Sequence, residues 1–154
     1  MKLIIKTIRL IIIADLSSKE LVFTFIGDNH FIKVTSFFNL VKVYNTGISF
    51  GMFTDLEYGQ IILSVIGLAI VTILINWLRN NDKKTVAYAL GAIIGGAFGN
   101  IIDRLVNGHV ADFLDVHWYG YHWPAFNLAD SCITIGVLIL LNEELFAKNT
   151  KSKK

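Results

Sequence analysis

From Tyr58 to Leu78 the chain runs for 21 residues without a charged side chain. At about 1.5 Å per helical residue this is enough to cross roughly 30 Å of hydrocarbon. A backbone in lipid finds no water to bond, so such a run must be helical, with its N–H and C=O groups paired internally. The rest of the chain suits the same solvent. Of its 154 residues 54% are hydrophobic and 17% charged, an apolar share above that of a soluble domain. Three further apolar segments can be drawn. Thr85 to Ile102 is uncharged and ends at Asp103-Arg104, and Pro124 to Asn142 carries Asp130 as its only acid or base. The first segment covers about 10–26, or begins as early as Leu3, and carries Asp15, Lys19 and Glu20. The expected fold is one α-helical integral membrane domain over 1–154, with four transmembrane helices at about 10–26, 58–78, 85–102 and 124–142 and a small β-sheet element in the outer loops.

Charge placement orients these spans. The net charge is +2, and ten of the fourteen basic residues fall in three clusters: Lys2, Lys6 and Arg9; Arg79, Lys83 and Lys84; and Lys148, Lys151, Lys153 and Lys154. Clusters at the N-terminus, between spans two and three, and at the C-terminus belong on one side under the positive-inside rule. Both termini are therefore expected in the cytoplasm, and the basic excess needs no nucleic-acid partner to explain it. The N-terminus has no small-residue cleavage site after its apolar run, which predicts an uncleaved signal anchor. The single cysteine, Cys132, falls in the last apolar run, so neither an internal disulfide nor a thiol metal site is indicated.

The outer connections carry structure of their own. Phe37 to Phe53 mixes Val41, Val43, Phe50 and Phe53 with Lys42, Asn45, Gly47 and Ser49 in partly alternating order, which predicts short strands. Trp118, Tyr119, Tyr121 and Trp123 precede the lone proline, Pro124, as expected where a chain runs along the membrane interface before a helix. In span three Gly91, Gly95 and Gly99, with Gly96 beside them, leave a smooth strip for another backbone. Asn100, Asp103 and Arg104 follow at i, i+3 and i+4, forming one polar cluster at the outer end. There Asn and Arg could hold a substrate's backbone or simply satisfy Asp103. Asp15 and Lys19 stand at i, i+4 and are expected to neutralise each other.

Asp130 is the most informative acid. A carboxylate in an apolar run costs roughly 2.5 to 3.5 kcal/mol to insert and usually marks catalysis, a relay or a transport path. Two carboxylates within hydrogen-bonding reach cannot both ionise readily; they share a proton and supply a base for water together with an acid for a carbonyl oxygen. Asp103, Asp112 and Asp115 are all available as the partner, and the residues alone do not choose among them. Two other classes are open. A proton-coupled carrier would also use an intramembrane Asp, although neither internal repeats nor matched broken helices are visible. A metal-dependent hydrolase could draw on His109, Asp112, Asp115, His117 and His122, whose types suit zinc but whose spacing follows no established pattern.

Four blocks narrow the choice: Asn45 to Phe50 (NTGISF), Gly95 to Arg104 (GGAFGNIIDR), His109 to Phe113 (HVADF) and Pro124 to Ser131 (PAFNLADS). With these in order over essentially its whole length, the chain resembles the type II signal peptidases, the bacterial lipoprotein signal peptidases. The resemblance implies an aspartic endopeptidase of the bacterial cytoplasmic (inner) membrane. It would cut prolipoproteins just before a diacylglyceryl-modified cysteine, need no cofactor or metal, and be blocked by globomycin-type cyclic peptides. Its sheet would lie on the periplasmic side. Asp112 and Asp130 match the two catalytic positions. Asn45, Gly47, Asn100, Asp103, Arg104, Asn127 and Ala129 match positions that line or support the site, and Asp15 and Lys19 match an Asp and Lys of the first span. The chain departs from the family at Leu16, commonly glutamine, and at Ala111, more usually valine.

Overall fold

The computed structural model of the chain describes residues 2–27, 30–47 and 58–151. Four helices make up most of it: α1 (Lys2–Phe25), α2 (Gly59–Arg79), α3 (Lys84–Asn107) and α4 (Leu128–Lys151). Among the described residues α2 and α3 are long and apolar enough to cross a membrane. Helix α2 turns Ile61, Val65, Ile66 and Ile73 outward, an apolar face of the kind lipid covers. Helix α3 is the centre of the bundle and packs against the other three. Leu90 and Ile94 on α3 are buried with Val71 and Leu78 of α2.

Close approach in lipid depends on small residues, because hydrocarbon supplies no hydrophobic drive between helices. The glycine strip serves two neighbours. A Cβ at Gly95 would lie 3.1 Å from Ile11 of α1, and one at Gly96 would lie 2.5 Å from the Ala129 carbonyl oxygen at the start of α4. Gly96 thus admits backbone where any side chain would exclude it.

Four antiparallel strands form one sheet in the order β1 (Ile32–Lys33), β2 (Phe38–Asn45), β3 (Val110–Trp118), β4 (Tyr121–His122). β1 and β2 come from the α1–α2 connection, and β3 and β4 from the α3–α4 connection. Both connections therefore lie at one end of the bundle, with the short link at 80–83 at the other. The predicted strand region is realised as β2, while 48–57, with Ser49, Phe50 and Phe53, lies outside the described residues.

Helix α1 starts at Lys2, beside the earlier of the two expected starts, Leu3, and Lys2, Lys6 and Arg9 fall close to one helical face. Other boundaries differ from expectation. Helix α3 continues past Ile102 to Asn107, because Asp103 is neutralised inside the bundle. The last helix does not begin at Pro124. Residues 124–127 are extended and Phe126 is bonded to Leu114 of β3, so α4 starts only at Leu128.

Candidate active site

β3 carries one acid on each face. Strand side chains alternate, and Val110, Asp112 and Val116 face a cleft whose far wall is α4, whereas Asp115 faces away from it. The extended segment before α4 binds to the same strand. Phe126 N–H donates to the Leu114 carbonyl at 3.1 Å, and Leu114 N–H donates back at 2.8 Å. This pairing sets Asn127 beside Asp112, and the chain then turns into α4.

Asn127 and Asp130 close that turn as a reciprocal cap. Asn127 Oδ1 accepts the Asp130 backbone N–H at 2.9 Å, and Asp130 Oδ2 accepts the Asn127 backbone N–H at 3.2 Å. Asp130 accordingly stands in the first turn of α4, where the helix dipole favours negative charge, and not in the middle of a span.

Three asparagine amides then face the two acids. Asn45 Oδ1 is held by the Gly47 N–H at 3.0 Å, so its NH2 group donates to Asp112 Oδ2 at 2.8 Å. Asn127, its oxygen engaged in the cap, donates from Nδ2 to Asp112 Oδ1 at 2.6 Å. Asn100 Nδ2 donates to Asp130 Oδ1 at 2.8 Å. Asn127 is fully buried and Asp112 nearly so. Burial pushes the Asp112 carboxyl up to about 6; the Asn45 hydrogen bond opposes the rise, the charge of Asp130 adds to it, and the Asn127 hydrogen bond opposes it again. Among the described residues neither Asp112 nor Asp130 forms an ion pair.

Both acids open on a cleft of about 710 Å³. Asn45, Asn100 and Arg104 line its polar end; Trp123, Phe126, Ile133 and Ile135 line the apolar remainder. Arg104 donates to the Gly47 carbonyl at 3.1 Å, while its buried Nε has no hydrogen-bond partner. Arg104 is thus committed to backbone carbonyls, not to Asp103.

Asp103 belongs to a second cluster, behind Asn100. Lys19 Nζ lies 2.7 Å from Asp15 Oδ2 and 3.2 Å from Asp103 Oδ2, and all three residues are buried. Asp15 Oδ1 also accepts the Ala129 N–H at 2.9 Å, and Asp103 Oδ2 accepts the Ala111 N–H at 2.9 Å. Asp103 Oδ1 takes the Asn107 amide at 2.8 Å. Ala129, with no exposed surface, is gripped on both sides, its N–H by Asp15 and its carbonyl against Gly96.

Every residue singled out in the sequence therefore falls in one of two adjoining groups: Asp112, Asp130, Asn45, Gly47, Asn100, Arg104 and Asn127 at the cleft, and Asp15, Lys19, Asp103 and Ala129 behind it. The histidines do not join Asp112. His109 packs edge-on against Tyr44, and His117 stacks on His122, which contacts Asp115 at 2.8 Å. Among the described residues no three His, Cys, Asp or Glu side chains are placed to hold a metal ion. One contact had no signal in the sequence: Gln60, in the first turn of α2, donates to the Thr46 carbonyl and ties that helix to the Asn45–Gly47 loop. A lone glutamine at a helix start gives no hint of such a tie.

The arrangement is that of a helical membrane enzyme with two acids at the head of a cleft. The sequence model of the family described as signal peptidase (SPase) II matches residues 7–146. The lipoprotein signal peptidase of Francisella tularensis subsp. novicida is 43% identical over 143 residues, covering 90% of this chain and 89% of the relative. That of Burkholderia multivorans is 48% identical over 115 residues, 73% of this chain and 69% of the relative. A bacterial membrane enzyme solved by the in meso method at 2.3 Å superposes with a TM-score of 0.85 at 29% identity, covering 100% of this chain and 93% of that one. The chain belongs to the signal peptidase II family, and is a membrane peptidase of the aspartic type.

Proposed function

We propose that this peptidase removes signal peptides from prolipoproteins by cutting just before a diacylglyceryl-modified cysteine, with Asp112 and Asp130 as the catalytic dyad. One observation carries the assignment: two acids from different elements, joined through Asn127, head a single cleft whose other wall is apolar. Burial and mutual repulsion favour one proton on the pair, and that proton belongs to both. A water between them loses a proton to the ionised carboxylate as its oxygen bonds to the scissile carbonyl carbon. The protonated partner gives its hydrogen to the carbonyl oxygen. Collapse of the resulting diol breaks the C–N bond, and the departing amine takes a proton from the dyad. Asn45, Asn100 and Asn127 hold the acids in place, and Arg104 with Gly47 holds the substrate backbone.

The cleft's composition fits a substrate that is peptide at one end and lipid at the other. A lipid-bearing precursor reaches such a site by lateral diffusion in the membrane. All four helices are proposed to cross the bacterial cytoplasmic membrane as one domain over 1–154, with the sheet on the periplasmic side and both termini in the cytoplasm. The shared end of the two sheet-forming connections supports this topology, as do the basic clusters at the opposite end. Globomycin-type peptides would occupy the same cleft.

The test is cleavage of a diacylglyceryl-modified precursor by purified protein. Wild type is expected to cut it, to leave the unmodified precursor intact and to be blocked by globomycin, while Asp112→Asn and Asp130→Asn fold but do not cut. Full activity in either variant would overturn the dyad.

A further inference from the structure

Lys19 does not line the catalytic cleft; it lines a separate groove with Leu16, Phe23, Asp103 and Ala111. Its ammonium donates to Asn100 Oδ1 at 2.9 Å and forms ion pairs with Asp15 Oδ2 at 2.7 Å and Asp103 Oδ2 at 3.2 Å. We propose that Lys19 is a positioning residue of the dyad, fixing the rotation of the Asn100 amide and through it the donors offered to both acids. The proposal rests on the dyad reading above.

The geometry leaves one arrangement. An ammonium can only donate, so the Asn100 atom that meets it must be the oxygen. The NH2 group is then forced to the opposite side, where it donates to Asp130 Oδ1 at 2.8 Å. The same oxygen accepts Asn127 Nδ2 at 3.2 Å, the nitrogen that also donates to Asp112 Oδ1 at 2.6 Å. One lysine thereby sets the sense of the Asn100 amide, orders a donor toward Asp130 and supplies the second acceptor of the Asn127 amide that the helix cap has already turned toward Asp112. Without it Asn100 can turn over, set its oxygen against Asp130 and leave Asn127 with one acceptor fewer.

The charged groups around the pair are few. Lys19 and Asp15 approach from α1, and Asp103 and Arg104 from α3. β2 presents the neutral Asn45, and α4 contributes Asp130 itself. Arg104 lines the cleft and donates to the Gly47 and Asn100 carbonyls, whereas Lys19 is the cation that reaches the acids through a side-chain hydrogen bond, the one to Asn100. A buried ion cluster is also weak evidence of a stabilising role, since well-packed apolar groups commonly do as well. Removal of Lys19 is thus expected to disfavour the ionised dyad as well as loosen it.

The experiment compares wild type, Lys19→Met, Lys19→Arg and the pair Asp15→Asn/Lys19→Gln, which leaves the net charge of the buried trio unchanged. Each is purified, checked for folding by circular dichroism and assayed on the diacylglyceryl-modified precursor across pH. Lys19→Met and the pair are expected to lower kcat about tenfold or more with KM within about twofold, and to move the acid limb up by about half a pH unit. Lys19→Arg, still a pure donor, restores most of kcat and the wild-type limb. If either Met or the pair folds with wild-type kcat and an unmoved limb, the inference falls and the lysine is structural only. Should Lys19→Met fail to fold, the pair decides. Asp112→Asn and Asp130→Asn run alongside, and activity in those would sink the dyad reading itself.

Discussion

Two pairs of acids stand on either side of Asn100, and they have been treated oppositely. Asp15 and Asp103 share an ammonium between them and take backbone N–H groups from Ala129 and Ala111. Asp112 and Asp130 receive amide and backbone donors but no cation, and open on a cleft. Burial is therefore not what separates the proposed catalytic acids from the other two, for Asp15 is at least as buried as Asp112. What separates them is the absence, among the described residues, of a cation bonded directly to either carboxylate. An acid held by neutral donors at a cleft keeps its orientation and remains open to a substrate; one locked to an ammonium behind the cleft keeps its orientation and is closed off from it.

The largest expected contrast is between Asp112→Asn or Asp130→Asn and Asp103→Asn. Either dyad change should cut kcat by about 10³-fold or more, with little loss of Tm. Asp103→Asn should do the reverse, costing about 3 kcal/mol or more of stability by leaving a buried ammonium underpaired, while molecules that stay folded cleave within about tenfold of wild type. Precursor cleavage and thermal unfolding of the same preparations separate the two. Next in size is Asn127→Ala, which removes the helix cap and one Asp112 donor together. A kcat loss of about 10²-fold and a stability loss of about 1 kcal/mol are expected. An unchanged kcat would mean that Asn127 caps α4 without ordering the acids.

Part of this division was legible before any coordinates. Asp130 stands out as the one acid of its apolar run, while the one polar cluster expected of Asn100, Asp103 and Arg104 is divided in the structure, Asn100 and Arg104 lining the cleft and Asp103 pairing with Lys19 behind it. The choice of Asp112 came from resemblance alone, and for a physical reason. Asp112 meets Asp130 only because β3 pairs with β2 on one side and Phe126 bonds to Leu114 on the other, and such long-range pairing leaves no local periodicity. β3 itself is hidden, since a buried Asp at an inward position blurs the alternation that marks a strand. The first segment is the hardest to read for a related reason: Asp15 and Lys19 look like interruptions of a span until Asp103, far along the chain, completes their neutralisation.

The pH response should separate the two sets further. Asp112 holds its proton up to about 6, whereas the unfolded chain releases it near 3.8. Between those values the folded state binds the extra proton, so this residue's contribution to stability falls as pH rises through the window, and above about 6 the acid pair loses the proton it donates to the carbonyl oxygen. A basic limb of kcat/KM with a midpoint near 6 is expected. Thermal unfolding followed from pH 4 to 7, itself an approximate window set by these two values, should lose the corresponding slope in Asp112→Asn. Activity that stays flat as pH rises through about 6 would place Asp112 outside the proton transfer.

The smallest effect is expected at Asp115, one face of β3 away from Asp112. Burial alone would raise its carboxyl, but hydrogen bonds from His122 and Asn39, both at 2.8 Å, hold it below the usual carboxylate range. A lowered acid contributes stability above the ordinary value near 3.8, and that contribution is lost as pH falls through the lowered one. The His122 side chain is 53% exposed, so solvent screening limits the pair to about 0.5 kcal/mol. His122→Ala is thus expected to shift the acid end of the unfolding profile slightly upward in pH and to leave kcat unchanged. Asp115 has a histidine partner and an amide donor, yet it sits on the face turned from the cleft. A large kcat loss in His122→Ala would mean that strand alternation does not isolate the dyad from the outer sheet, and that the reactive set extends through β3 to its second acid.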